Sequence, residues 1–152
     1  MIDGNWLAVR DGDARARALY LRHYSSKKSR GDNPTGFVYG NHARFIGPGE
    51  HLVMLTHDAR ALFSWRAQRY RQDGQQGIEC TIFRNEGAGL SSELIREACE
   101  LAWLRWPGER LYTYVEDSKV ASANPGYCFL MAGWRRCGRN ADGRLTILER
   151  LP

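Results

Sequence analysis

Ile78-Glu79-Cys80-Thr81-Ile82-Phe83 runs into Arg84-Asn85-Glu86-Gly87-Ala88-Gly89-Leu90-Ser91-Ser92, and an amphipathic stretch then continues to Leu104. The first piece alternates Ile78, Cys80 and Ile82 against Glu79, Thr81 and Phe83, a strand with two unlike faces. The last piece places Leu94, Ile95, Ala98, Leu101, Ala102 and Arg105 on one helical stripe, and Pro107-Gly108 stops it. Ser91 or Ser92 is expected to cap this helix, and Glu93 puts negative charge in its first turn. The order is strand, glycine loop, helix. Glycines let such a loop turn tightly and bring its N–H groups close to a ligand. The helix adds unpaired first-turn N–H groups and the positive end of its dipole. A pyrophosphate is the expected guest.

Upstream, His51–Thr56 and Ala61–Arg66 read as strands, and with Ile78–Phe83 they form an antiparallel meander. Phe37–Tyr39 and Ala43–Ile46 are shorter strand-like pieces. Asp13–Tyr24 has helical spacing through Ala16, Leu19, Tyr20 and His23. A polar loop from Ser25 to Gly36 follows it. Downstream, Leu111–Val115 is a strand expected to run parallel to Ile78–Phe83, because a strand–helix–strand unit usually returns that way. Asn124-Pro125 opens a short helix that Gly133 ends. Trp134–Gly138 and Leu145–Glu149 make a last hairpin around Asn140–Gly143. The expected class is therefore α+β, a mixed and mostly antiparallel sheet with one parallel pair and flanking helices. The 152 residues suit one domain spanning 1–152.

Composition is that of an ordinary globular protein, 43% hydrophobic and 26% charged. No apolar run is long enough to span a membrane. The start, Met1-Ile2-Asp3-Gly4-Asn5-Trp6, lacks the basic and apolar regions of a signal peptide. Cys80, Cys99, Cys128 and Cys137 show no C-x-x-C spacing, which points to buried free thiols and a cytoplasmic location. No His and Cys pair has zinc-ligand spacing, so no metal is expected. The net charge is +5. Arg10, Arg15, Arg17, Arg22, Lys27, Lys28 and Arg30 face only Asp11 and Asp13 between residues 10 and 30, so that segment carries 7 − 2 = +5. Such a segment is either a solvated helix face or a contact for a polyanion: nucleic acid, or a phosphorylated cofactor or substrate.

Arg84-Asn85-Glu86-Gly87-Ala88-Gly89, between strand and helix, resembles the pyrophosphate loop (Gln/Arg)-x-x-Gly-x-(Gly/Ala) of the GNAT superfamily of acyl-CoA N-acyltransferases. Gly126–Trp134 resembles that family's short helix ending in Gly-Phe. The resemblance covers roughly Leu52 to Glu149. It implies acetyl-CoA or another acyl-CoA as cofactor, with the pyrophosphate on the amides from Arg84 through Gly87, Ala88 and Gly89 to Leu90 and Ser91. Ser92 adds a hydroxyl, and Asn124 either caps the short helix or meets the pantetheine. The pantetheine is implied to pair along Thr81, Ile82 and Phe83, where the two parallel strands splay apart. A narrower resemblance is to the phage DNA-modification family of Mom, through Arg22-His23-Tyr24-Ser25 with its basic loop, Asn85-Glu86, Leu90-Ser91-Ser92 and a closing Gly-Trp. That branch alters the exocyclic amine of adenine.

The candidate chemistry follows from the same residues. Glu79 is either a base for the attacking amine or a solvent-facing strand residue. His23 is a core histidine, a base or an acceptor contact. The family often places a leaving-group Tyr four residues before its Gly-Phe, and this chain has Phe129 there, which has no proton to give. Tyr127, the alternative proton donor, lies about 200° away on an ideal helix and could serve only if that helix is irregular or the chain is offset. Arg22, Lys27, Lys28 and Arg30 would hold phosphates, and Tyr20, Tyr24 and Phe37 would stack on a base. Glu86 is expected to point away from a bound pyrophosphate and act structurally. Trp65, Trp103 and Trp106 are expected in the core, while Trp6 has no assigned place.

Overall fold

The structure, a computed structural model, describes residues 4–22, 44–47, 49–68, 74–116 and 126–152. His23, Tyr24, Lys27, Lys28, Arg30, Phe37–Tyr39 and Asn124 lie outside the described residues. The elements in chain order are β1 (Trp6–Val9), α1 (Ala14–Arg22), β2 (Gly49–Thr56), β3 (Ala61–Gln68) and β4 (Ile78–Asn85). They continue with α2 (Ser91–Arg105), β5 (Leu111–Glu116), α3 (Tyr127–Met131), β6 (Arg135–Arg139) and β7 (Leu145–Arg150). All seven strands join one sheet in the order β1-β2-β3-β4-β5-β7-β6. Every neighbouring pair is antiparallel except β4 and β5. The class is α+β, as the element order implied.

Apolar side chains fill both faces of the sheet. The larger core lies under α2 and α3 and holds Phe63, Trp65, Cys80, Ile95, Ala98 and Phe129, among others. The smaller lies under α1 and gathers Ala16, Leu19, Val53, Leu55, Leu62 and Ile82. Asp13 caps α1, its carboxylate accepting from the N–H groups of Arg15 at 3.0 Å and Ala16 at 3.2 Å. Asp11 accepts from the N–H of Phe45 at 2.8 Å, which ties the 44–47 segment beside α1. No strand includes residues 44–47, so the strand expected at Ala43–Ile46 is absent where it can be checked.

Trp6 finds its place in β1. It sits opposite Thr56, donates its indole N–H to the Leu94 carbonyl at 2.9 Å and meets Phe63 edge-on. Trp65 is fully buried, and Trp103 and Trp106 are half-buried and pack against the same core. They donate to the Glu109 carbonyl and the Glu50 carboxylate. The four cysteines are all free, and only Cys80 and Cys99 are buried, whereas Cys137 is exposed.

Two departures from regular sheet geometry shape the region around β4. The first is a bulge: Ser64 pairs with Ile82 and Trp65 with Cys80, leaving Thr81 as an extra residue. An extra residue reverses the face of everything after it. Ile82 therefore joins the α1 core instead of following Cys80, and Phe83 turns toward α2 and α3. The simple alternation expected of Ile78–Phe83 thus holds only to Cys80. The second departure is a fork. β4 and β5 pair only from Ile78↔Leu111 to Cys80↔Thr113, yet both strands run on, to Asn85 and Glu116. At the fork the Thr113 hydroxyl donates to the Cys80 carbonyl at 3.0 Å. The β5-facing edge of Thr81–Asn85 has no strand partner among the described residues.

Gly77 sets the approach to this fork. Its φ is +121°, and a Cβ there would meet the Arg110 carbonyl oxygen at 2.1 Å. Only glycine lets the chain entering β4 lie this close to the chain entering β5.

Candidate functional site

The loop after β4 is organised by one side chain. The Asn85 amide group donates to the Gly89 carbonyl at 2.8 Å and to the Ser91 hydroxyl at 2.9 Å. Its oxygen accepts from the N–H groups of Gly87 at 3.1 Å and Ala88 at 2.8 Å. Gly87 (φ +101°) and Gly89 (φ +144°) supply backbone conformations that side chains rarely allow. These bonds fix the shape of the loop. The N–H groups of Gly87 and Ala88, two of those expected on a pyrophosphate, are held inside the loop.

The next four are not. The Glu86 N–H goes to the Arg60 carbonyl, and those of Glu93 and Leu94 go to the Leu90 carbonyl. Between them, the N–H groups of Gly89, Leu90, Ser91 and Ser92 donate to no group among the described residues. The helix explains why. Its N-cap residue is Leu90, in extended conformation and with no side-chain capping bond. The expected capping by Ser91 or Ser92 is not made, because Ser91 already lies within the helix and its hydroxyl turns back to Asn85, while Ser92 is buried. A helix start without a cap leaves its first-turn donors open, and the dipole adds to their positive potential. Leu90 itself is 63% exposed, so the site faces solvent.

Three charged residues beside the loop engage one another. Glu86 accepts from Arg22 Nε at 2.8 Å and Nη2 at 2.9 Å, and from Arg84 Nε at 2.6 Å. Arg84 also donates to the Arg22 backbone carbonyl at 3.0 Å. The bulge makes this possible by turning Arg84 to the α1 face. Hydrogen bonds from Arg22 and then Arg84 hold the Glu86 carboxyl down at about 2. Glu86 thus acts structurally, tying the C-terminal end of α1 to the loop. Arg22, the one residue of the expected phosphate-binding set that is described, has its guanidinium on a carboxylate.

On the α1 face a cleft of about 410 Å³ opens between α1, the 44–47 segment, β3 and β4. One wall is aromatic and apolar: Tyr20 stacks on Phe45 at 4.8 Å, beside Ile46 and Ile82. The floor is polar. Arg66 and Glu79 are cross-strand partners, with Arg66 Nη2 at 3.4 Å from Glu79 Oε1. Gln68 donates to the same oxygen at 2.5 Å and to the Tyr112 hydroxyl at 3.3 Å. Thr81, the bulged residue, lines the cleft and shares a hydrogen bond with Ser64. Glu79 is therefore a largely covered cleft carboxylate and not a solvent-facing strand residue. Sequence reasoning missed Arg66 and Gln68. Their signal was their alternation on β3, on the face opposite Trp65.

The two remaining candidates separate. Phe129 is buried, its ring edge-on to Phe83 at 6.0 Å and to Trp134 at 4.9 Å, so the inward side of α3 presents a hydrocarbon to the open arm of β4. Tyr127 is 54% exposed at the start of α3. Glu79 and Thr81 are brought together in the cleft, Ile82 at its edge, and the open amides lie where the same strand ends. The chain matches no family model, no curated protein and no solved structure. No helix among the described residues is long and apolar enough to cross a membrane.

Proposed function

We propose that this protein is an acyl-CoA-dependent N-acyltransferase of the GNAT type, acting on an amine of a nucleic-acid base. The observation that carries this reading is the run of N–H groups from Gly89 to Ser92 that no described residue accepts from, beside the edge of Thr81–Asn85 that no described strand pairs with. A pyrophosphate would satisfy the four donors, and an amide-bearing arm could pair with the strand edge as a third strand would. Bound acyl-CoA would supply the acyl group as a thioester. The residues of the chain then divide the remaining work. The loop amides would anchor the donor, the fork would hold its arm between β4 and β5, and Glu79 would take the proton that the attacking amine loses. Phe129 has no proton to give, so the proton for a departing thiolate would come from solvent. The basic segment from Arg10 to Arg30 supports a polyanionic acceptor.

Isothermal titration with acetyl-CoA tests the donor half, and absence of heat at millimolar ligand would overturn it. Mass spectrometry of nucleosides from DNA co-expressed with the protein tests the acceptor half. A modified adenine pool is expected; unmodified bases together with acylation of a small amine would move the acceptor to small molecules. One observation favours a second reading, a non-catalytic nucleic-acid-binding module on this scaffold: Phe129 is locked in the core where the family often has its proton donor. Salt-dependent DNA binding with no acetyl-CoA binding would support that reading instead.

A further inference from the structure

The floor of the α1-face cleft offers two opposite hydrogen-bonding groups side by side. Glu79 is an acceptor and Arg66 a donor, on neighbouring strands and directly paired in register. Both are mostly covered, at 14% and 20% exposure of the side chain. Arg66 is under-used. Its Nη2 reaches Glu79 at 3.4 Å, a long contact, and its Nε is buried with no acceptor among the described residues. A buried guanidinium N–H without a partner is costly, and such groups in native proteins call for an explanation. Glu79 is meanwhile held in place by Gln68, which is braced on Tyr112. The opposite wall is the Tyr20–Phe45 stack with Ile46 and Ile82.

From these features we infer that Arg66 is a specificity-determining residue of the acceptor site, and that the cleft selects a flat ring whose amine lies next to a hydrogen-bond-accepting ring atom. The amine donates to Glu79, the ring atom accepts from Arg66, and the ring lies along the aromatic wall. A simple alkylamine or arylamine could satisfy Glu79 but would offer Arg66 no acceptor, leaving it only its long contact to Glu79. The inference rests on reading the cleft as the acceptor side of the proposed acyltransferase, but it concerns binding and needs no turnover.

Matched probes test it: 2-aminopyridine and aniline, which differ by one ring nitrogen beside the amine, under mildly alkaline conditions where both are neutral. Ligand-observed NMR titration of the full chain is expected to show 2-aminopyridine binding about 10- to 100-fold more tightly than aniline, the range for a hydrogen bond to a charged group. Arg66→Met should erase the difference, and Arg66→Lys should restore part of it, since a lysine keeps the charge but not the planar fork. Circular dichroism on both variants checks that they fold, and the wild-type comparison of the two probes needs no variant at all. Equal binding of the two probes by the wild type, no binding of either, or an unchanged preference in folded Arg66→Met would each overturn the proposal. Acetyl-CoA titration on the same samples keeps the outcomes apart: retained acetyl-CoA binding with no ring preference defeats this inference alone, whereas lost acetyl-CoA binding in the wild type defeats the acyltransferase reading.

Discussion

Two sources of positive potential lie within one loop of each other, and they are used in opposite ways. The guanidinium groups of Arg22 and Arg84 are closed on Glu86 by bonds of 2.6 to 2.9 Å. The N–H groups of Gly89, Leu90, Ser91 and Ser92 carry only partial charges, yet nothing among the described residues accepts from them. Full charges beside a loop are thus poor guides to where an anion would sit, because the fold can neutralise them internally. An uncapped helix start is a better guide. Its donors are fixed by the backbone, cannot swing away and have no internal alternative.

The largest expected effect comes from closing the open amides. Leu90 stands at the N-cap with φ −74° and ψ 121°, the conformation that capping residues adopt. Leu90→Asp would let a carboxylate accept from the first-turn N–H groups and would add negative charge at the proposed anion site. Thermal or denaturant melts should show α2 and the protein more stable by about 0.5 to 2 kcal/mol. Acetyl-CoA affinity measured by calorimetry should fall by about 100-fold or more, since the anion loses its donors and meets a like charge. A variant that gains stability and keeps its affinity would show that the anion site is elsewhere.

A smaller effect is expected from opening the closed pair. Glu86→Gln removes the carboxylate that holds Arg22 and Arg84. The pair is partly exposed, with Arg22 at 50%, so the stability loss at neutral pH should stay within about 1 kcal/mol. The freed guanidinium groups should strengthen DNA binding and steepen its salt dependence by up to about two phosphate contacts. The pH dependence separates wild type from variant. The folded-state pKa of Glu86, about 2, lies below the ordinary carboxylate value, so the unfolded chain takes up its proton first as pH falls. The contribution of Glu86 to stability is therefore present in full above the ordinary carboxylate range. It is lost between that range and about pH 2, and Glu86→Gln should lack that component of acid sensitivity.

The contrast between the two regions also tracks what a linear reading could see. Strand, loop and helix were legible because β4 and α2 have strong periodicity and Gly87 and Gly89 mark a turn. The parallel return of β5 followed from the same unit. The bulge at Thr81 was not legible: Ile78, Cys80 and Ile82 alternate perfectly in sequence, and only pairing with Ser64 and Trp65 shows that the face changes. β1 was missed because four residues, Trp6-Leu7-Ala8-Val9, with burial confined mainly to Trp6, give no period to detect. The Arg22–Glu86 bond joins positions far apart in the chain, so a basic segment looked available when Arg22, one of its members, was already paired. Arg66 and Gln68 became site residues only when β3 and β4 were set side by side.

Ser91 provides the finest test of the open-amide picture. Were it a cap, Ser91→Ala would cost about 1 kcal/mol, the usual penalty for losing a capping bond. Here its hydroxyl accepts from Asn85 at 2.9 Å and makes no bond to the first turn, and Asn85 keeps its contacts to Gly87, Ala88 and Gly89 without it. Alanine also suits a helical position better than serine, which offsets part of the loss. Denaturant unfolding should therefore place Ser91→Ala within about 0.5 kcal/mol of wild type. Its acetyl-CoA affinity should stay within a few-fold of wild type, because the donors at issue belong to the backbone and survive the substitution. A full capping penalty would mean that the hydroxyl serves the helix in solution, and then fewer than four N–H groups would be open to a ligand.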